Sequence, residues 1–204
     1  MPSARFGQHP PRRPPSAAVP PPTARSSVDD TPLDCQAGAA LLRGLEVHTV
    51  PAADDGHPLA VYTVREEEEE DDDEDAARER RRRVPVLLLH GQTWSSVAVY
   101  HLAGGGGDMG EDRSLLRALH RTQNIQPYAM DFRGFGGTTK DASGFAEPLR
   151  CVADVVSVLD WLHERHGAAA STPIRPALLG WSHGALVAQI AAQRHADALS
   201  KLIL

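Results

Sequence analysis

Five residues near the end of the chain, Gly180-Trp181-Ser182-His183-Gly184, have the types and spacing that nucleophilic catalysis needs. The apolar run "PALLGW" leads into them, and an alanine-rich pattern with helical spacing, residues 185–193, leads out. Ser182 therefore stands on a sharp turn between a strand and a helix. Such a turn strains the serine backbone and projects its hydroxyl from the edge of the sheet. Side chains at positions 180 and 184 would strike neighbouring backbone, hence the glycines. The helix N-terminus behind the serine favours negative charge as it develops. Attack by the Ser182 hydroxyl on a carbonyl carbon is the chemistry this arrangement serves.

That attack places charge on the carbonyl oxygen, and the charge needs N–H donors. A second motif, His90-Gly91-Gln92-Thr93-Trp94, follows another apolar run and can supply one. The backbone N–H groups of Gln92 and His183 would together make a two-donor oxyanion hole. The His90 side chain reads differently: it ends a strand and hydrogen-bonds nearby backbone. A third motif, Asp131-Phe132-Arg133-Gly134-Phe135-Gly136-Gly137-Thr138, has glycines for a tight loop. Asp131 and Arg133 are expected to brace that loop rather than perform chemistry. Trp94 and Trp181 adjoin the hole and the nucleophile, and are candidates to line a substrate pocket.

These motifs need a frame to hold them. "LEVHTV" (45–50) and "LAVYTV" (59–64) flank "PAADDGHP", whose Asp-Gly pair signals a hairpin. "VPVLLLH" (84–90) is continuous apolar sequence, as in a central strand buried on both faces. A glycine-rich loop is expected over 94–110, then a helix in "EDRSLLRALHRTQ" with Leu115, Leu116 and Leu119 on one face. "IQPYAMD" (125–131) is a further strand. "EPLRCVADVVSVLDWLHERHG" sets Leu149, Val152, Val155, Val156, Leu159 and Leu162 at helical spacing and stops at Gly167. "PALLGW" and "KLIL" supply the last strands. Alternation of strands and helices over 84–204 specifies α/β architecture: a mostly parallel sheet, helices on both faces, and the N-terminal antiparallel hairpin.

Outside this frame the composition changes. Residues 1–34 hold nine of the 16 prolines, which points to a disordered Pro/Arg-rich tail. Residues 66–83, "EEEEEDDDEDAARERRRR", carry 11 acids and 5 arginines and account for the whole net charge of −6. They are expected to form a solvated insertion between two strands, with a docking arm for a basic partner as the alternative. The remaining charges balance, so nothing favours nucleic acid or an anionic membrane as a partner. No apolar run is long enough to span a bilayer. Cys35 and Cys151 make neither a disulfide framework nor a metal pattern, consistent with a cytoplasmic protein. The arginines of the tail and the lack of acids before Asp29 allow a mitochondrial or plastid address instead.

"LLLHGQTW", "MDFRGFGGT" and "LLGWSHGA", in this order and spacing, resemble the α/β-hydrolase superfamily, in its esterase and lipase-type branch with a serine nucleophile. The resemblance covers about residues 45–204. It implies a small acyl substrate (an ester, thioester, lactone or amide) and neither metal nor cofactor. It also implies an acid and then a histidine after the serine. Only 22 residues follow Ser182, and His195 and Asp197 among them lie at the far end of the helix the serine starts. The expectation is therefore the N-terminal portion of a C-terminally truncated hydrolase domain, weak or inactive as it stands. The alternative is a non-catalytic interaction protein built on the same fold.

Overall fold

The computed structural model describes residues 42–65, 83–102, 113–122, 124–144, 147–167 and 174–204, all within one compact unit, Asp34–Leu204. The proline-rich tail, Cys35 and all of the charged tract except Arg83 lie outside the described residues.

Strands β1 (Leu45–Pro51) and β2 (Pro58–Val64) form the expected hairpin, with Leu45 opposite Val64 and Pro51 opposite Pro58. The connection is wider than a two-residue turn. Ala52 N–H donates to the His57 carbonyl and Gly56 N–H to that of Ala52, with Gly56 at φ +71°. This loop presents Asp54 and Asp55 toward the rest of the molecule.

Strands β3 (Val84–Leu89), β4 (Ile125–Met130), β5 (Ala177–Gly180) and β6 (Lys201–Ile203) complete a six-stranded sheet in the order β1-β2-β4-β3-β5-β6. β4 pairs antiparallel with β2 and parallel with β3, and β5 lies parallel to β3 and β6. β3 is thus central, and Leu87, Leu88 and Leu89 are wholly buried. Burial of each such leucine contributes about 1.5–3 kcal/mol.

Helices α1 (Ser96–Tyr100) and α2 (Leu115–His120) cover one face, where Val97, Tyr100 and Leu116 pack on Val86, Leu88 and Ala129. Helices α3 (Pro148–Gly167) and α4 (His183–Arg194) cover the other, where Val155, Leu159 and Val187 meet Leu87, Leu89 and Met130. α3 opens on a proline, the residue best tolerated at a first helical position. A short 3₁₀ turn, Ala196–Ala198, links α4 to β6.

Three details depart from the sequence reading. α1 occupies part of the stretch read as loop; its five residues are too few to show a helical period. Leu115 and Leu149 are exposed, because each begins its helix before the stripe of apolar residues reaches the sheet. α4 starts at His183, directly after the serine, rather than at Ala185.

No described helix is long and apolar enough to cross a membrane. Burial pushes the Cys151 thiol up to about 12, so it is an inert core residue.

Candidate active site

Gly180 ends β5 and His183 begins α4, which leaves Trp181 and Ser182 to make the turn. Ser182 has φ 56° and ψ −119°. Only it and Thr93 (φ 71°) have positive φ among the described non-glycine residues. Such conformations cost on the order of 1–3 kcal/mol and persist where the surroundings impose them. Here they do. Gly184 N–H donates to the Trp181 carbonyl, and Ala185 and Leu186 N–H to that of Ser182. Trp181 N–H donates to the carbonyl of Leu89 at the end of β3. The Ser182 side chain caps no helix N–H and is exposed.

The glycines make the turn possible. A Cβ on Gly180 would stand 2.6 Å from Ala185 Cα, and one on Gly184 would stand 2.7 Å from the His90 carbonyl oxygen. Gly91 faces the serine across the gap: a Cβ there would lie 3.2 Å from that of Ser182 and 2.9 Å from the Trp181 ring. The loop after β3 and the turn after β5 are therefore in contact.

Gln92 and His183 line the same open cavity of about 570 Å³, together with Arg133, Phe135, Lys140 and Glu147. Trp94 and Trp181 are not among its lining residues; they are 51% and 47% exposed. Trp181 lies instead over Gly91.

Beneath the cavity, Arg133 makes the most heavily bonded contact of the region. Its side chain is 2% exposed. Nε donates to Asp154 Oδ2 at 2.8 Å and Nη2 to Asp154 Oδ1 at 2.6 Å. Nη1 and Nη2 donate to Asp55 at 2.6 and 3.0 Å, and Nη1 reaches Asp141 at 3.3 Å. Arg150 adds a second cation to Asp55 and Asp54. One guanidinium thus joins the β1–β2 loop, the loop after β4 and α3. Hydrogen bonds from Arg133 hold the Asp55 carboxyl well below its usual range. Burial pushes the Asp154 carboxyl up against the pull of the same arginine. The bracing role read for Arg133 has a physical basis here, but the sequence did not mark Asp55 and Asp154 as its partners. They lie 78 and 21 residues away, and no local pattern marks such partners.

Asp131 is buried and fully hydrogen-bonded. It accepts from Ser96 N–H at 2.6 Å, the Tyr62 hydroxyl at 2.7 Å and Gly137 N–H at 2.8 Å. His90 is also wholly buried, with both ring nitrogens engaged. Nδ1 donates to the Gly91 carbonyl at 2.7 Å, and Nε2 accepts from Phe132 N–H at 3.0 Å. Burial holds its pKa below the usual histidine value.

Among the described residues no histidine is hydrogen-bonded to Ser182. The His183 ring turns edge-on toward Phe132, 5.7 Å between centroids. His195 closes α4 at its far end, about 18 Å along the axis at 1.5 Å per residue. Asp197 lies beyond it in the 3₁₀ turn. No group of three or more His, Cys, Asp or Glu stands ready for a metal among the described residues.

A sheet in this order, with a strained serine between its fifth strand and the following helix, defines an α/β fold of the hydrolase type. Residues 86–203 match the model of the alpha/beta hydrolase family, and the chain belongs to that family. No curated protein matches it in sequence. Among solved structures it is similar to an epoxide hydrolase from Vigna radiata, at 19% identity and TM-score 0.53, covering 79% of this chain and 38% of that one. It is similar to a predicted CIB-like hydrolase from Thermoplasma acidophilum at 13% identity and TM-score 0.50, covering 78% and 60%. An esterase from Pyrococcus furiosus stands at 16% identity and TM-score 0.50, covering 76% and 48%. The chain thus spans 38% to 60% of the length of these relatives.

Proposed function

We propose that this chain carries the nucleophile and oxyanion hole of a serine hydrolase acting on carboxylic esters or related acyl compounds. The observation that supports this most strongly is the backbone of Ser182, at φ 56° and ψ −119° between β5 and α4. A serine needs no such conformation to hold a turn; it needs one to present its hydroxyl to a substrate. In this reading Ser182 attacks the acyl carbon, and the Gln92 and His183 N–H groups receive the oxyanion. Trp94 and Trp181 serve the exposed rim of the site.

The reading also sets a limit on rate. His90 is committed to backbone, His195 closes the far end of α4, and no described histidine is hydrogen-bonded to Ser182 to take its proton. The 204-residue chain is therefore expected to hydrolyse a p-nitrophenyl ester slowly, at most about 10³-fold above water from the hole alone. Ser182→Ala should change this small rate little, but in a longer chain that supplies the acid and base it should abolish turnover. Vigorous Ser182-dependent hydrolysis by the 204-residue chain would contradict the assignment of His90 and His195 as bystanders. A second reading is a non-catalytic interaction protein on the same fold, in which Ser182, with no described histidine hydrogen-bonded to it, would serve only as a turn residue. A longer chain that showed no turnover, with Ser182 present or replaced by alanine, would support it.

A further inference from the structure

The cavity that Gln92 and His183 line is walled by four charged residues, Arg133, Lys140, Asp141 and Glu147. Three of these charges have an account in the fold. Arg133 directs its donors to Asp154, Asp55 and Asp141. The other oxygen of Asp141 accepts from Ser143 N–H at 2.9 Å and Gly144 N–H at 3.2 Å. Glu147 stands immediately before α3, where its carbonyl accepts from Cys151 N–H. Negative charge is favoured at that end of a helix. Lys140 has no such account. Among the described residues no side-chain hydrogen bond or ion pair reaches it, and it is exposed.

The Lys140 stem is nonetheless placed. Gly134 has φ +81°, and its N–H donates to the Thr138 and Thr139 carbonyls at 3.1 Å each, which folds the loop back on itself. The stem runs along this glycine: a Cβ at position 134 would stand 2.9 Å from Lys140 Cγ, 3.7 Å from Cδ and 3.5 Å from Cε. A lysine stem laid on protein surface keeps its ammonium in water. Here that surface is a cavity wall. Beyond the four charged residues, Gln92 and Phe135 carry no charge, and burial holds the His183 ring below the usual histidine value.

We infer that the cavity takes an acyl substrate with a carboxylate at the end of its acyl chain away from the reacting carbonyl, and that Lys140 selects it. This names a substrate class for the proposed serine hydrolase and rests on that reading. One unpaired ammonium matches one negative charge, so a hemiester of a dicarboxylic acid fits. A phosphate dianion would bring a second negative charge toward Asp141 and Glu147, and like charges set together are unfavourable. A cationic chain would meet the ammonium of Lys140, and an uncharged one would gain nothing from it. The cavity is open, so the selection is modest, about fivefold, on the scale of an exposed ion pair.

Pairs of fluorophosphonates of equal chain length, one ending in methyl and the other in carboxylate, test this through the rate of Ser182 labelling. At the best length the carboxylate probe should label about fivefold faster than its methyl partner at low salt, and the ratio should fall toward one in about 1 M salt. Lys140→Met should bring the ratio to one or below, because Asp141 and Glu147 then face the carboxylate alone. Lys140→Arg should retain it. Lys201→Met removes the same charge from the start of β6, level with the start of β5 and so at the opposite end of the strands from Ser182. It should leave the ratio intact. A ratio near one at every length, or one that survives Lys140→Met, would overturn the selection while the labelling itself upheld the nucleophile. If neither probe labels Ser182, the hydrolase reading fails, and binding decides the carboxylate site by itself. Monomethyl glutarate should then shift the ¹⁵N resonances of Gly134 and Lys140 saturably, and neutral dimethyl glutarate should not. Equal shifts with the two esters, or none with either, would overturn the site.

Discussion

Gly184→Ala should lose about 3 kcal/mol of stability or more, enough to lower Tm by roughly 10 °C in a domain of this size. The added methyl carbon would collide with the Leu89 carbonyl oxygen and stand 2.7 Å from that of His90. Both are backbone atoms at the end of β3, the central strand, where Leu88 and Leu89 are wholly buried. No rotamer change relieves such a contact. Either α4 moves away from the sheet or the turn at Ser182 relaxes. Thermal unfolding followed by circular dichroism measures the loss. Tm within 2–3 °C of the parent, on the same scale of about 2–4 °C per kcal/mol, would mean that the helix does not approach β3 so closely.

Arg133→Ala should cost about 3–5 kcal/mol at pH 7, the usual consequence of removing one partner from a buried ion pair. Asp154 is wholly buried and would lose the guanidinium that donates three hydrogen bonds to it. The sign of the pH dependence follows from Asp154. Burial already pushes its carboxyl up, and Arg133 pulls it down. Without Arg133 the folded form holds its proton where the unfolded form has released it. The variant therefore loses stability as pH rises above the unfolded value near 3.8 and recovers it as pH falls toward that value. Asp55, held low in the parent chiefly by its hydrogen bond from Arg133, acts in the same direction. Urea unfolding at pH 7 and pH 5 should show the deficit shrinking at the lower pH. Combining Arg133→Met with Asp154→Leu should recover most of it, since two apolar side chains need no partner. A deficit independent of pH would assign the loss to packing rather than charge.

What the sequence revealed and what it concealed have the same origin. β3 and β5 were legible because strands buried on both faces read as unbroken apolar runs. The turn at Ser182 was legible because an apolar strand, two glycines and a helix meet within a few residues. Local patterns carry such features. The contacts beneath the cavity are not local. Arg133 was visible as a loop residue, but its partners Asp55 and Asp154 come from a hairpin and from the buried face of α3. Asp154 stands within an otherwise apolar stripe, between Val152 and Val155, and that placement was the one available hint. His90 was read correctly as a residue bonded to nearby backbone. Its second bond, to Phe132 across 42 residues, depends on β4 lying beside β3. Strand order, with β4 inserted between β2 and β3, is set by tertiary packing that no motif records.

The central claim is that Ser182 is a nucleophile and not merely a turn residue. Peptide mapping after prolonged exposure to a fluorophosphonate tests it most directly. The account predicts slow phosphonylation confined to the peptide carrying Ser182, lost in Ser182→Ala. Phosphonylation spread over other serines, or none at Ser182 after exhaustive exposure of the folded chain, would contradict it.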